Sequence, residues 1–279
     1  AIPLNINHKN VTPRGVGQGL SVKVNANIGT SSSYPDPEPE LEKLAAAIAA
    51  GADSVMDLST GDNIDASRRA IIGASTVMVG TVPIYQATVE TIKKRGAVVE
   101  MTKEDLFEVI RQQAADGADF MTIHCGINKN VLDMLTSEGR VMDVVSRGGS
   151  FITGWMLHNG KENPLYEYYD EILGICAEYD VTISLGDGLR PGCLADATDV
   201  CQIEELVRAL TDPAAKPAAP AEDEEYPESY SRLVEQLEKF FSQDISIKRS
   251  KNGGGRIVIG FGDDKDIEQF IERFSGRIK

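Results

Sequence analysis

The sequence predicts an α/β protein, a (β/α) barrel of about six units followed by a small α+β module. Three observations carry this. Short apolar runs alternate with amphipathic stretches over residues 1–210. Polar residues stand at or just past the end of the apolar runs. Residues 211–229, TDPAAKPAAPAEDEEYPES, lose all apolar period and read as a Pro, Ala and acid-rich linker to a second segment, 230–279.

The predicted strands are Leu20–Asn25, Ser54–Leu58, Thr76–Val82, Phe120–His124, Val141–Val145 and Val181–Leu185. Continuous apolar runs of this length suit strands buried on both faces of a parallel sheet. The helices predicted between them are Glu38–Ala50, Ile64–Ile72, Ile84–Arg95, Lys103–Ala115, Pro164–Ala177 and Ala195–Leu210. Gly51-Ala52-Asp53 and Gly117-Ala118-Asp119 each precede a strand, a repeated helix-to-strand return. On this pattern alone a doubly wound sheet and a barrel both remain open. The barrel is favoured because Asn27, Asp57, Tyr85, His124, Ser146-Arg147 and Asp187 close six different strands, and barrels assemble their sites from strand C-termini.

The second segment has its own rhythm. Leu233, Leu237, Phe240 and Phe241 form a helical stripe within Tyr230–Gln243. Ile245 and Ile247, the turn Lys251–Gly255, then Ile257, Ile259 and Phe261 predict a β-hairpin. Asp263–Phe274 reads as a closing helix. So short a module buries little surface alone, so a partner is expected.

Net charge is −15, which sets the chain as a whole against nucleic acid and anionic membrane. No apolar run is long enough to span a bilayer. The opening Ala1-Ile2-Pro3-Leu4-Asn5 has no charged stretch leading into an apolar one, so no secretory leader is expected. Cys125, Cys176, Cys193 and Cys201 fit neither a disulfide framework nor a paired metal motif, and a cytoplasmic protein is the expectation.

Several strand ends carry chemistry-bearing residues. Asn27 closes Val24–Gly29, where it either bonds a ligand or shapes a turn. Asp57 either holds a hydroxyl or caps the next helix, and its neighbour Met56 reads first as core. His124 either binds substrate or is a satisfied interior histidine. With three histidines and no H-x-x-x-H spacing, no self-contained metal site is expected. Ser146-Arg147-Gly148-Gly149-Ser150 sets one guanidinium among small residues, as a phosphate or carboxylate pocket requires. Gly186-Asp187-Gly188-Leu189-Arg190-Pro191-Gly192 adds an acid for ribose hydroxyls and a base for phosphate.

The blocks VNANIG, GADSVMDLSTG, GTVPIYQA, TIHCG, VSRGGS, HNGKENPLY and SLGDGLRPGCLADATD occur in one order over residues 1 to about 208. Together they resemble the phosphomethylpyrimidine synthase (ThiC) family of radical-SAM lyases. The resemblance implies conversion of 5-aminoimidazole ribonucleotide into the hydroxymethylpyrimidine phosphate of thiamine. A sister branch converts the same ribonucleotide to 5-hydroxybenzimidazole for cobamides. It also implies ribonucleotide contacts at Asn27, Met56, Tyr85, His124, Ser146, Arg147, Gly148, Asp187, Gly188, Leu189 and Arg190. The family uses a 4Fe-4S cluster, S-adenosylmethionine and a divalent metal. Its Glu-Gly-Pro-Gly-His strand and C-x-x-C-x-x-x-x-C segment do not occur in this sequence. The expectation is therefore a ribonucleotide-holding body without the cluster ligands.

LVEQLEKFFSQDISIKRSKNGGGRIVIGFGDDKDIEQFIERF resembles the C-terminal dimerisation module of ParB-type partition proteins. That implies a homodimer through residues 230–274. Lys248, Arg249, Lys251 and Arg256 either touch DNA phosphates nonspecifically or charge-protect a hairpin edge.

Overall fold

The computed structural model describes residues 1–211, 245–249 and 255–259. The chain divides into two units, Ala1–Pro217 and Ala218–Lys279.

In the first unit, five parallel strands form one sheet: β1 (Asn25–Ile28), β2 (Ser54–Asp57), β3 (Met78–Thr81), β4 (Phe120–Ile123) and β5 (Thr182–Leu185). Their order in the sheet is their order in the chain. A doubly wound sheet reverses direction at a switch point. None occurs among the described residues, and the order β1 to β5 is compatible with part of a barrel.

Helices α1 (Glu38–Ala49), α2 (Ile64–Ala74), α3 (Pro83–Arg95) and α4 (Lys103–Asp116) follow the predicted pattern. Helix α4 shows why. Thr102 accepts from the Asp105 amide (3.2 Å), and the Asp105 carboxylate accepts from the Thr102 amide (2.9 Å), a reciprocal cap. Gly117 then ends the helix in the left-handed region at φ 107°. The predicted helix from Pro164 is two pieces, α7 (Pro164–Glu167) and α8 (Tyr169–Tyr179). The last helix of the unit is α9 (Val200–Thr211). Two more helices, α5 (Lys129–Glu138) and α6 (Arg147–Asn159), have no counterpart in the sequence-based prediction.

The structure corrects the predicted strand Val141–Val145. This segment is a loop between α5 and α6, and Val141 is 76% exposed. The Asp196 carboxylate accepts from the Val141 and Met142 amides (2.9 and 3.0 Å), replacing strand partners, and Asp143 turns the chain at φ 52°. The sheet thus has five strands where about six were expected. The first strand also begins later than predicted: Leu20, Val22 and Val24 are exposed, and pairing with β2 starts at Asn25.

Register sets the two faces of the sheet. Asn27 pairs with Met56, Met56 with Gly80, and Gly80 with Phe120. Alternation then places Asn27, Met56, Thr122 and His124 on one face. Val55, Val79, Met121 and Ile123, from the alternate positions, are buried and belong to the core clusters.

The N-terminal arm is fastened to the sheet. Asp119, fully buried just before β4, accepts from the Asn5 amide (2.9 Å), the Val79 amide (2.7 Å) and His8 Nδ1 (2.6 Å). His8 Nε2 faces the Ser75 carbonyl (3.2 Å), so both ring nitrogens meet acceptors and the imidazolium suits the site. Burial alone lowers the His8 pKa, but the Asp119 hydrogen bond and charge, with the Ser75 and Ile72 carbonyls, outweigh it and raise it. A raised folded pKa gives stabilisation that is full below the unfolded value near 6.5 and fades as pH climbs through the folded value. His8→Ala is expected to cost about 1.5–3 kcal/mol at about pH 6 and less at about pH 9, by urea unfolding. Equal losses at both pH values would refute the charged pairing.

In the second unit, β6 (Ile245–Arg249) pairs antiparallel with β7 (Gly255–Ile259), Ile245 opposite Ile259 and Lys248 opposite Arg256. This is the hairpin read from the sequence. The predicted helices Tyr230–Gln243 and Asp263–Phe274, Lys251 and residues 212–229 lie outside the described residues.

Candidate functional site

The site is organised around His124. It follows β4 directly and is 3% exposed. Its ring lies between two glycines. A Cβ on Gly148 would run into the ring, and one on Gly186 would stand 2.9 Å from Cδ2. Gly149 and Gly188 meet equally closely, since a Cβ on Gly149 would overlap the Gly188 carbonyl. These approaches bring the start of α6, the end of β4 and the loop after β5 to one place. The glycines serve contact rather than backbone twist, because Gly148, Gly149, Gly186 and Gly188 all avoid positive φ.

The Ser146-Arg147-Gly148-Gly149 run was read from sequence as a loop at a strand end. It is the first turn of α6. Ser146 is the N-cap, its hydroxyl accepting from the Gly149 amide (3.2 Å). The positive end of a thirteen-residue helix therefore opens here. Arg147, at the first helical position, is exposed and lies over the Tyr85 ring, Cζ 5.1 Å from its centroid. Tyr85, in the first turn of α3, is braced edge-on by Phe151 at 6.3 Å.

The loop after β5 supplies Asp187, Gly188, Leu189 and Arg190. Asp187 Oδ1 is buried without a hydrogen-bond partner, as is His124 Nδ1. Arg190 is exposed and donates to the Asp187 carbonyl (3.2 Å). Leu189 is fully buried in the main core, so it anchors this loop by its side chain. Burial first, and the Arg190 charge second, lower the His124 pKa to about 4. The ring is thus neutral at neutral pH and acts as a hydrogen-bonding group, not a cation.

Asn27 and Met56 lie on the same sheet face as His124, Asn27 exposed and Met56 half-buried against the core. Asp57 points the other way. Its carboxylate accepts from the Ser59 amide (3.0 Å) and hydroxyl (2.5 Å), a local turn, and burial raises its pKa. Lys248, Arg249 and Arg256 belong to the second unit.

Two contributors escaped the sequence reading. Asn163, fully buried, donates to the carbonyls of His124 and Ile127 (2.8 Å each) and holds the turn after β4. Glu205 on α9, also fully buried, accepts from the amides of Gly188 (2.7 Å) and Leu189 (2.6 Å). No local signal marked it: it is buried one helical turn after Cys201, while the apolar Ile203, Leu206 and Val207 of the same helix are exposed.

Residues 1–217 match the description of the Radical SAM ThiC family. The chain belongs to that family. It is 63% identical over 206 residues to the phosphomethylpyrimidine synthase of Desulforamulus reducens, covering 74% of this chain and 48% of the relative. The enzyme of the same name from Moorella thermoacetica matches equally, 63% over 206 residues with the same coverage. That of Carboxydothermus hydrogenoformans is 58% identical over 207 residues, again 74% and 48%. The chain thus spans about half the length of these ThiC relatives.

The ThiC family implies a 4Fe-4S cluster and S-adenosylmethionine. The described thiols do not fit a cluster. Cys125, Cys176 and Cys201 are buried, and burial pushes Cys125 up to about 12 and Cys176 up to about 11, against the thiolate that iron requires. Among the described residues no three His, Cys, Asp or Glu side chains gather as a metal site. No helix among them is long and apolar enough to cross a membrane.

Proposed function

We propose that the first unit is the ribonucleotide-holding part of a phosphomethylpyrimidine synthase and binds 5-aminoimidazole ribonucleotide at His124. The observation that carries this is the convergence of two glycine-bearing segments, the start of α6 and the loop after β5, on a neutral, buried histidine, with two guanidinium groups exposed nearby. The start of α6 offers amides and a positive helix end to the phosphate, with Arg147 and Arg190 as its counter-charges. Asp187, whose inner oxygen has no partner in the chain, accepts from ribose hydroxyls. His124, Tyr85, Met56 and Asn27 face the heterocycle.

The phosphomethylpyrimidine synthase relatives support the thiamine branch over the 5-hydroxybenzimidazole branch. Both start from the same ribonucleotide, so the site geometry is common to them. Cluster, S-adenosylmethionine and divalent metal would act on a substrate held here, and no step through them is assigned to this chain's residues.

Calorimetric titration of 5-aminoimidazole ribonucleotide into the full chain tests the proposal. Saturable binding at one site per chain, lost when the phosphate is removed, is expected. Heats indistinguishable from dilution would overturn it.

The second unit we read as a dimerisation module, supported by its hairpin and by the likeness to ParB-type C-termini. The basic residues Lys248, Arg249, Lys251 and Arg256 are assigned to shielding that hairpin, in keeping with the acidic chain. In sedimentation the full chain is expected at twice the chain mass, and a chain ending at Leu210 at the single mass. A single mass for both would remove this reading.

A further inference from the structure

We propose that Glu205 is a positioning residue for the ribonucleotide, holding the Asp187–Arg190 loop in its binding shape. The proposal rests on the reading of His124 and its surroundings as the ribonucleotide site. Glu205 comes from α9, outside the glycine-lined segments. Both its oxygens are used, one on the Gly188 amide and one on the Leu189 amide. Two successive backbone N–H groups aimed at one carboxylate form a small anion nest, and the chain fills it with its own side chain. The phosphate is thereby left to the start of α6 and the arginines, while Asp187, half-buried, and Arg190, exposed, flank the clamped pair.

The clamp also explains the tight passage of Gly188. A Cβ there would strike Ile127 and come within 3.0 Å of Glu205 itself, so Gly188 sits pressed between β4's exit turn and α9. Leu189, pulled inward by the same carboxylate, is fully buried. A loop this rich in glycine has many shapes in its unclamped state. Fixing its amides selects the one in which Asp187 and Arg190 reach the ligand together.

The groups facing Glu205 are few. Burial drives its pKa up to about 7; the Leu189 and Gly188 amides oppose this, and the Asp187 carboxylate adds to it. Cys125 also feels its charge. As a carboxylate it accepts two N–H groups, and once protonated it loses much of that hold. The loop therefore loosens as pH falls below about 7.

The test uses the full chain, Glu205→Gln and Glu205→Ala. Hydrogen exchange of residues 186–190 without ligand is expected to quicken roughly tenfold or more in Glu205→Ala and partway in Glu205→Gln, with β3 unaltered. Titration with 5-aminoimidazole ribonucleotide is expected to show about a tenfold loss of affinity in Glu205→Ala, partly rescued by Glu205→Gln. Between about pH 8 and 6 the wild-type affinity should fall more steeply than that of Glu205→Gln, which shares the ligand's own phosphate titration but lacks the carboxyl. If Glu205→Ala fails to fold, the isosteric Glu205→Gln carries both arms. Unchanged exchange at 186–190 in a folded Glu205→Gln overturns the clamp. Failure of the wild type to bind the ribonucleotide overturns the substrate reading instead, and the exchange result still decides whether Glu205 holds the loop.

Discussion

Arg68→Ala is expected to cost about 3–5 kcal/mol, the scale for breaking a buried ion pair, and to lower Tm by roughly 6–20 °C. Arg68 lies in the middle of α2 with its side chain 1% exposed. Its guanidinium donates to Asp116 (2.5 and 3.1 Å), Asp65 (2.7 Å) and Gln86 (2.6 Å), using α2, α3 and α4 at once. Gln113 donates to the same Gln86 oxygen (2.9 Å), and Gln112 to Asp65 (2.8 Å). Removing the cation leaves Asp65 without its ion partner and Asp116 with only the longer Arg69 contact (3.6 Å), and leaves a hole where the side chain packed. Arg68→Met separates the two causes: it refills the volume but not the charge. A loss nearly as large as for alanine is expected, read by urea unfolding. A loss under about 1 kcal/mol for either variant would show that the network contributes little.

Arg147→Ala is expected to weaken ribonucleotide binding by about 1.5–3 kcal/mol, which is a factor of about ten to one hundred and fifty. The guanidinium lies over Tyr85 at the opening of α6 and has no carboxylate partner among the described residues. It therefore needs no rupture of an existing pair to meet a phosphate, and its loss removes charge without unburying anything. Folding stability should stay within about 0.5 kcal/mol of wild type, as for an ordinary surface change. Arg147→Lys tests geometry against charge, because an ammonium keeps the charge but neither stacks on Tyr85 nor grips two oxygens together. Affinity for the ribonucleotide unaltered in Arg147→Ala, by calorimetry, would remove the phosphate from this end of α6.

The sheet was legible because its signal is local. Val55, Val79, Met121 and Ile123 are apolar at alternate positions next to polar strand ends, and four predicted strands match observed ones closely. Val141–Val145 misled for the converse reason. Its residues have strand-forming side chains, but their backbone is tied by Asp196, some fifty residues away, which no local pattern announces. Helix α6 was hidden by its own Gly148 and Gly149, which weigh against a helix unless the need for contact with His124 and Gly188 is known. Of the candidate site residues, His124 and Asp187 were visible as polar groups after apolar runs that the structure also forms as strands. Arg68 and Glu205 were not: Arg68 is a charged residue among the buried Ile64, Ile71 and Ile72 of its helix, Glu205 is buried on a helix whose Ile203 and Leu206 are exposed, and only tertiary partners tell either from a residue turned to solvent.

Asp119 has a further consequence for how the molecule comes together during synthesis. Strands β1 to β3 can pair in the order in which they leave the ribosome. The arm that carries Asn5 and His8 is made before any of them, yet its anchor is made only with β4. This earlier-made arm is thus obliged to wait for Asp119, and its docking there follows the making of β4.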